Sequence, residues 1–196
     1  IMRFTGTYDQ DQLLDESLPI TWRHINKLAG CGALGDLGSH LLSISQFIMG
    51  DISKVNAVAT TVFPKRPKSA GSSEMVDVEN EDIMTFMAEY ANGAIGQIAC
   101  SRVATGRKNY LTYEIQGTKG SVRYDLERMG EVQVYFQSDN ERDRGFRTVL
   151  LNPLMKGYSA FQPAGGISIA YNDMKILEVH ALFDAITNGA DYVTDF

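Results

Sequence analysis

The middle of the chain is a series of short β-patterned segments joined by short turns, and this feature limits the possible folds more than any other. "DIMTFMAEY" and "AIGQIACSRVA" flank a turn containing Asn92 and Gly93, a dipeptide that favours the positive φ of hairpin turns. "NYLTYEIQ" and "SVRYD" repeat the pattern around "GTKG", and "EVQVYFQ" and "FRTVLL" follow. Such short connections imply antiparallel pairing, because a parallel pair needs a long crossover. The sequence therefore predicts an antiparallel meander of about six strands.

Two segments have helical periodicity. Between Leu37 and Met49 the apolar residues recur at intervals of four, three and four positions, and Gly50 follows as a stop signal. These apolar positions are Leu37, Leu41, Ile44 and Ile48. The second helix is expected from Asp173 to Asn188, with Asn172 as its N-cap and Gly189 as its stop.

The remaining segments complete the expected architecture. Strands are predicted in residues 1–8 and 54–63, whereas residues 64–80 carry turn formers without periodicity and are predicted to form a mobile polar loop. Strands that cluster between flanking helices indicate the α+β class. We expect a mostly antiparallel, open-faced sheet of about six strands with helices on one face. The other face is then free to contact a neighbouring subunit.

Length and charge exclude several classes of function. The 196 residues fit one ordinary domain, and a net charge of -6 leaves no broad basic surface for nucleic acid or anionic membranes. Neither a spanning apolar segment nor a signal peptide is recognisable, and Cys31 and Cys100 are too few for a disulfide framework, so a cytoplasmic protein is expected. The chain opens at Ile1 in mid-pattern and stops at "DYVTDF", so we expect residues 1–196 to be a fragment lacking both native ends.

Residues 30–35, "GCGALG", satisfy the dinucleotide-binding pattern GxGxxG. That pattern must follow a buried parallel strand and open the helix of a βαβ unit. Here "TWRHINKLA" precedes it without a β-branched run, and the next strand leads into the meander. We interpret the segment as a glycine-rich hinge before a helix, whose glycines could still approach a ligand closely.

Asp36 and His40 are the residues with the clearest potential for chemistry. They lie four positions apart, so on a helix they share one face with Ser43 and Phe47, beside the apolar stripe. A carboxylate near an imidazole can fix its tautomer and favour its charged form, as a general base near neutral pH requires. The spacing alone favours the alternative in which Asp36 caps the start of the helix and His40 is half-exposed without a role.

Three segments carry a resemblance to a known family. They are "TYDQD…PITWRHINKLAGCGALGDLGSHLLSISQFIMG", "EIQGTKGSVRYD" and "NDMKILEVHALFDAITNG". They resemble the C-terminal domain of the Gfo/Idh/MocA oxidoreductases, the glucose-fructose oxidoreductase and inositol dehydrogenase family. The resemblance covers nearly the whole chain, and "AGCGALGDLGSH" followed by an apolar helix is its most specific part.

The resemblance implies a division of labour between two domains. An N-terminal Rossmann domain, absent from this chain, would bind NAD or NADP and contribute a catalytic lysine, while residues 1–196 would form a substrate-binding and oligomerisation domain. His40 would take the proton of the substrate hydroxyl, and Asp36 would orient it and tune its charge. The third residue after the histidine is usually Asp in the family and is Ser43 here, which leaves the substrate identity open. Ser43 can still form hydrogen bonds.

Four further residues, Tyr8, Gln10, Trp22 and Arg23, resemble family positions that line the substrate or nicotinamide pocket. Between two predicted strands, Arg107 and Asn109 could offer a cation and an amide to sugar hydroxyls. Together with Ser43, these six are the expected substrate-binding residues. Each has a structural alternative, as a loop anchor, a core aromatic or a solvated hairpin tip. His24 and His180 have no carboxylate in register and are expected to be structural. No grouping of residues has metal-ligand spacing, so no metal is expected.

Two functions remain open at this stage. The first is the substrate-binding and catalytic-base half of an NAD(P)-dependent oxidoreductase acting on a hydroxyl carbon of a sugar, cyclitol or related polyol, in a homo-oligomer assembled through the sheet face. This fragment alone would be inactive. The alternative is a non-catalytic module for carbohydrate binding or oligomerisation. Hydrolysis by Ser39 is rejected, because neighbouring helical residues Ser39 and His40 point about 100° apart.

Overall fold

The computed structural model describes residues 1–155 and 157–189, which fall into two compact units, one of residues 1–127 and one from residue 128 onwards. The first unit contains strands β1 (Arg3–Asp9), β2 (Ile52–Thr60), β3 (Lys65–Pro67), β4 (Met75–Asp77), β5 (Ile83–Tyr90), β6 (Ile95–Ser101), β7 (Tyr110–Gln116) and β8 (Gly120–Asp125). Its α-helices are α1 (Asn26–Ala29) and α2 (Ser39–Met49). The second unit contains β9 (Glu131–Phe136), β10 (Arg147–Leu150) and α3 (Tyr171–Asn188).

The sheet of the first unit confirms the α+β class. Its strand order is β8-β7-β1-β6-β5-β2, and four of the five pairings are antiparallel. The exception is the parallel pair of β1 and β6, in which Tyr8 lies opposite Cys100. The predicted hairpin at Asn92 and Gly93 is confirmed, with Gly93 at a φ of 83°. The strands exceed the six of the predicted meander, because β1 and β2, which were predicted separately, join the same sheet and β1 inserts between β7 and β6.

Helix α2 covers one face of this sheet, as its periodicity predicted. Leu41 is fully buried against Phe4 of β1 and Ile98 of β6, so the core lies between the helix and the central strands. Residues Leu34–Gly38 precede α2 as a π-helical turn, in which the Ser39 N–H donates to the Leu34 carbonyl. The predicted helix from Leu37 therefore begins two residues later as an α-helix.

The prediction of a featureless loop over residues 64–80 is wrong, because β3 and β4 form a small antiparallel hairpin there. The β-strands are three residues long, too short to produce a recognisable periodicity. Arg66 of β3 is fully buried, and its guanidinium donates to the carbonyls of Asp15 and Leu13. This arginine fastens the acidic loop after β1 to the hairpin.

The second unit contains the β9 and β10 antiparallel pair and α3. Gly189, at a φ of 63°, ends α3 as predicted, but the N-cap is Ala170 and not Asn172. The Asp173 carboxylate accepts from the Ala170 N–H at 2.8 Å, which satisfies this helix start without an asparagine. No side chain of α3 is buried, so its predicted role as cover stays a prediction. No helix among residues 1–155 and 157–189 could cross a membrane, and "DYVTDF" lies outside the described residues.

Candidate active site

The glycine-rich segment is bound by a carboxylate of the protein itself. The Glu81 carboxylate accepts from the backbone N–H groups of Gly32, at 2.9 Å, and Leu34, at 2.9 Å. The Ala33 N–H donates to the Glu81 carbonyl at 3.0 Å. A Cβ on Gly32 would lie 1.9 Å from that carbonyl oxygen, so this glycine permits a close backbone approach. The amides that a dinucleotide pyrophosphate would need are already engaged, and "GCGALG" does not fit that group.

Glu81 was not recognised from the sequence. It lies 49 positions after Gly32, and no local pattern connects the two. Its carboxylate does what an N-cap residue does, because it satisfies backbone donors at the start of a helical segment. It thereby holds the segment that carries Asp36 and His40 against the end of the sheet.

His40 is exposed in the first turn of α2. Its imidazole contacts the buried ring of Tyr8 edge-on, with ring centroids 5.6 Å apart and an interplanar angle of 68°. The contact holds the imidazole beside the end of β1. His40 is therefore not buried among leucines, and its ring remains accessible. Ser43 is exposed one turn further along α2.

Tyr8, Gln10 and Asn109 form one hydrogen-bonded cluster. The Tyr8 hydroxyl donates to Asn109 Oδ1 at 2.7 Å, and Gln10 Nε2 donates to the same oxygen at 2.8 Å. Because two donors occupy Oδ1, Asn109 can offer a ligand its Nδ2 hydrogens. The sequence separation between Tyr8 and Asn109 is 101 residues, and the pairing of β1 with β7 brings them together. Tyr8 also contacts the His40 ring, so this cluster lies beside the imidazole.

The turn that carries Asn109 has its own anchor, which the sequence did not reveal. Glu127 accepts from the backbone N–H groups of Lys108 at 3.2 Å and Asn109 at 3.0 Å. Arg107 is directed elsewhere, since its guanidinium carbon lies 3.6 Å from the centroid of the Tyr110 ring. Asn109 therefore lies in the cluster with Tyr8, which contacts His40, whereas Arg107 packs on Tyr110.

Asp9, opposite Tyr110 in the sheet, shows where the charge of Arg107 acts. Burial raises the pKa of the Asp9 carboxyl, and the charge of Arg107 partly opposes that shift. Side chains alternate along β1, so Asp9 points to the face opposite Tyr8. The charge of Arg107 therefore acts on the face of the sheet opposite Tyr8.

Asp36 pairs with Arg23. Arg23 Nε lies 3.3 Å from Asp36 Oδ2, within ion-pair distance but outside hydrogen-bond geometry. The expected contact of Asp36 with His40 is not among the ion pairs of the described residues. The Asp36 carboxylate faces Arg23 instead, and the π-helical turn Leu34–Gly38 carries this aspartate.

Trp22 and Arg23 border a small pocket. The Arg23 guanidinium carbon lies 4.6 Å from the centroid of the Trp22 ring, and Trp22 is 53% exposed, so this tryptophan is not a core residue. The pocket has a volume of about 160 Å³, and its lining includes Trp22, Arg23, Cys31, Gly32, Asp36 and Arg102. Complete ligand pockets are usually about 300 to 1,000 Å³, so this volume suits one part of a larger site.

The two other histidines differ from each other. His24 is fully buried, and its Nδ1 accepts from the Thr21 N–H at 3.0 Å. Burial, reinforced by the charges of Arg102 and Arg66, lowers the pKa of His24, which keeps it neutral in the fold. His180 is exposed on α3, and its expected structural role stays a prediction.

The sheet, the covering helix and the glycine-rich segment before it agree with the architecture expected of a Gfo/Idh/MocA C-terminal domain. The chain belongs to the Gfo/Idh/MocA family: the sequence profile described as the GFO/IDH/MocA C-terminal domain matches residues 1–123.

Comparisons with individual known proteins identify similar relatives. The levoglucosan dehydrogenase of Pseudarthrobacter phenanthrenivorans is 39% identical over 209 residues, covering 100% of this chain and 53% of that protein. A solved structure of levoglucosan dehydrogenase in complex with NADH and L-sorbose superposes with a TM-score of 0.92 at 40% identity, covering 96% of this chain and 50% of that one. A complex with NADH and levoglucosan gives 0.90 at 40% identity, with the same coverage. The chain thus spans about half the length of these relatives.

Proposed function

We propose that this chain is the substrate-binding and catalytic-base half of an NAD(P)-dependent oxidoreductase that oxidises a hydroxyl-bearing carbon of a sugar, cyclitol or related polyol. The observation that carries the proposal is the accessible imidazole of His40, held edge-on by Tyr8 beside the cluster of Gln10 and Asn109. His40 lies in a chain that is 39% identical to levoglucosan dehydrogenase, in a match that covers 100% of this chain and 53% of that protein. This relationship supports a role on sugars.

His40 acts as the general base. Its ring is exposed on one side and packed on the other, so it can accept the proton of a substrate hydroxyl without changing position. A bound nicotinamide cofactor supplies the hydride acceptor for the same carbon. Asp36 lies on the preceding turn, where its ion pair with Arg23 fixes one side of the site.

The surrounding polar groups suit a polyhydroxylated substrate. Such a ligand needs donors and acceptors from several directions. Asn109 Nδ2 and the Gln10 amide supply such groups beside the C-terminal end of β1, and Ser43 supplies a hydroxyl from α2. Trp22 offers a flat apolar surface, stacked against Arg23. The small pocket beside Asp36 is then completed by the part of the protein outside this chain.

The direct test uses the full-length protein with NAD⁺ and NADP⁺ and a panel of levoglucosan, L-sorbose, glucose and myo-inositol. We expect substrate-dependent reduction of one cofactor by at least one member of the panel. Calorimetric titration of the 196-residue chain alone should detect neither cofactor, because the "GCGALG" amides are engaged by Glu81. Absence of cofactor reduction with every sugar and polyol tested would contradict the proposal.

The open face of the sheet is the proposed contact between copies of the chain. Met87 of β5 and Ile95 of β6 are 61% and 53% exposed, and Val58 of β2 is 72% exposed on the same face. Exposed apolar patches of this kind are typical of protein contacts. Size-exclusion chromatography with light scattering should show a dimer or tetramer, and a monomer at micromolar concentration would contradict this assembly.

A further inference from the structure

A fully buried ion pair lies behind the site. Arg102, directly after β6, donates from Nε to Asp82 Oδ1 at 3.0 Å, and the two side chains are 0% and 1% exposed. The other carboxylate oxygen of Asp82 accepts from the N–H groups of Val62 and Phe63 at 2.8 and 3.1 Å. The pair therefore joins the ends of β2 and β6, and almost none of either side chain is exposed to solvent.

Stability alone does not account for such a pair. The cost of removing two charges from water offsets much of their attraction, and apolar side chains of similar volume often stabilise a fold equally well. The other hydrogen bonds of the Arg102 guanidinium therefore indicate what the pair does. Arg102 Nη1 donates to the Arg23 carbonyl at 3.3 Å, and Asn80 Nδ2 donates to the same oxygen at 2.9 Å.

These two bonds fix the backbone of Arg23 at one point. Both lone pairs of its carbonyl are occupied, and Asn80 is itself held by Asn26 Nδ2 at 3.2 Å. From that fixed backbone the Arg23 side chain reaches Asp36 at 3.3 Å and stacks on Trp22. Arg102 also lines the small pocket together with Arg23 and Asp36.

We propose that Arg102, with Asp82 and Asn80, is a positioning residue that sets Arg23 against Asp36 and thereby shapes the substrate side of the site. The inference rests on the proposed oxidoreductase function. Arg102 acts through the Arg23 carbonyl, not on the reacting atoms.

The test variant is Arg102→Met combined with Asp82→Leu in the full-length protein, which removes both members of the buried ion pair. In its crystal structure we expect the separation of Arg23 Nε and Asp36 Oδ2 to exceed 4 Å. The kcat/KM should fall about 10- to 100-fold, because small displacements of positioning groups have effects of this size. In an Arg23→Gln background the same double change should have no further effect on kcat/KM, since Arg102 acts through Arg23.

Arg66→Met is the matched control. Arg66 is also fully buried and also donates to backbone carbonyls, but those carbonyls belong to Asp15 and Leu13. It should lower the Tm while leaving kcat/KM within about twofold, as expected for a change distant from the chemistry. If the double variant does not fold, Arg102→Lys tests the same point. Lysine can still pair with Asp82 but lacks the planar fork needed to reach the Arg23 carbonyl as well.

An Arg23–Asp36 distance that is unchanged in the variant, or a loss of kcat/KM that adds fully to that of Arg23→Gln, would overturn the inference. The crystal structure decides it independently of catalysis. A full-length wild-type protein that oxidises no sugar therefore contradicts the proposed function, while the Arg23–Asp36 distance still tests the role of Arg102.

Discussion

The two faces of the sheet in the first unit differ although they are built from the same strands. On β5, Phe86, Ala88 and Tyr90 are at most 4% exposed, whereas Met87 between them is 61% exposed. Helix α2 covers the first set and presents His40 at its edge, whereas Met87 on the other face stays exposed. One face therefore carries packing and the candidate chemistry, and the other offers an apolar surface for association.

The largest effect should come from the edge of the covered face. His40→Ala in the full-length protein should lower the chemical step by about 10²- to 10⁴-fold, the usual contribution of a positioned general base. Cofactor affinity should stay nearly unchanged. Pre-steady-state cofactor reduction measures the step. An unimpaired variant would eliminate His40 as the base, and an equal loss of cofactor binding would make it a structural residue.

The centre of the covered face should determine stability. Leu41 is fully buried between α2 and the sheet, so Leu41→Ala should lower the free energy of unfolding by about 2 to 5 kcal/mol. Urea unfolding of the full-length protein monitored by circular dichroism measures the change. Leu28→Ala is the matched control, because Leu28 is 61% exposed. Comparable losses in both variants would show that α2 does not form the core proposed here.

The Glu81 carboxylate, which binds the segment before the covering helix, should contribute less to the free energy of unfolding than Leu41 does. Glu81→Ala leaves the N–H groups of Gly32 and Leu34 without their acceptor, and should lower the free energy of unfolding by about 1 to 3 kcal/mol. Glu79→Ala is the matched control, because Glu79 accepts from the exposed N–H of Asn26. Hydrogen exchange at residues 32–38 should accelerate only in the Glu81 variant. Equal exchange in both variants would argue against the assigned role of Glu81.

The open face should respond in assembly and hardly in stability. Met87→Lys changes a side chain that is 61% exposed, so the free energy of unfolding of the separated subunit should change by less than about 0.5 kcal/mol. The oligomer should dissociate, because each contact would bury an added charge. Light scattering measures the assembly. An unchanged oligomer would move the subunit contact away from this face.

Much of the fold could be predicted because its signals are local. The periodicity from Leu37 to Met49 and the turn at Asn92 and Gly93 depend on residues close in sequence, and both predictions are confirmed. The glycine-rich segment could also be separated from a cofactor site by its sequence context alone. The hairpin of β3 and β4 was missed because three-residue strands carry no period.

The sequence by itself determined the α+β class, the family and the chemical identity of the residues around His40. The tertiary structure decided which of these residues meet. Antiparallel pairing of β1 with β7 places Tyr8 beside Asn109, and the fold sets Asp36 against Arg23, 13 positions earlier in the sequence. Glu81, Asp82 and Arg102 act on partners 19 or more positions away, so their roles depend on packing between distant segments and leave no pattern in the sequence.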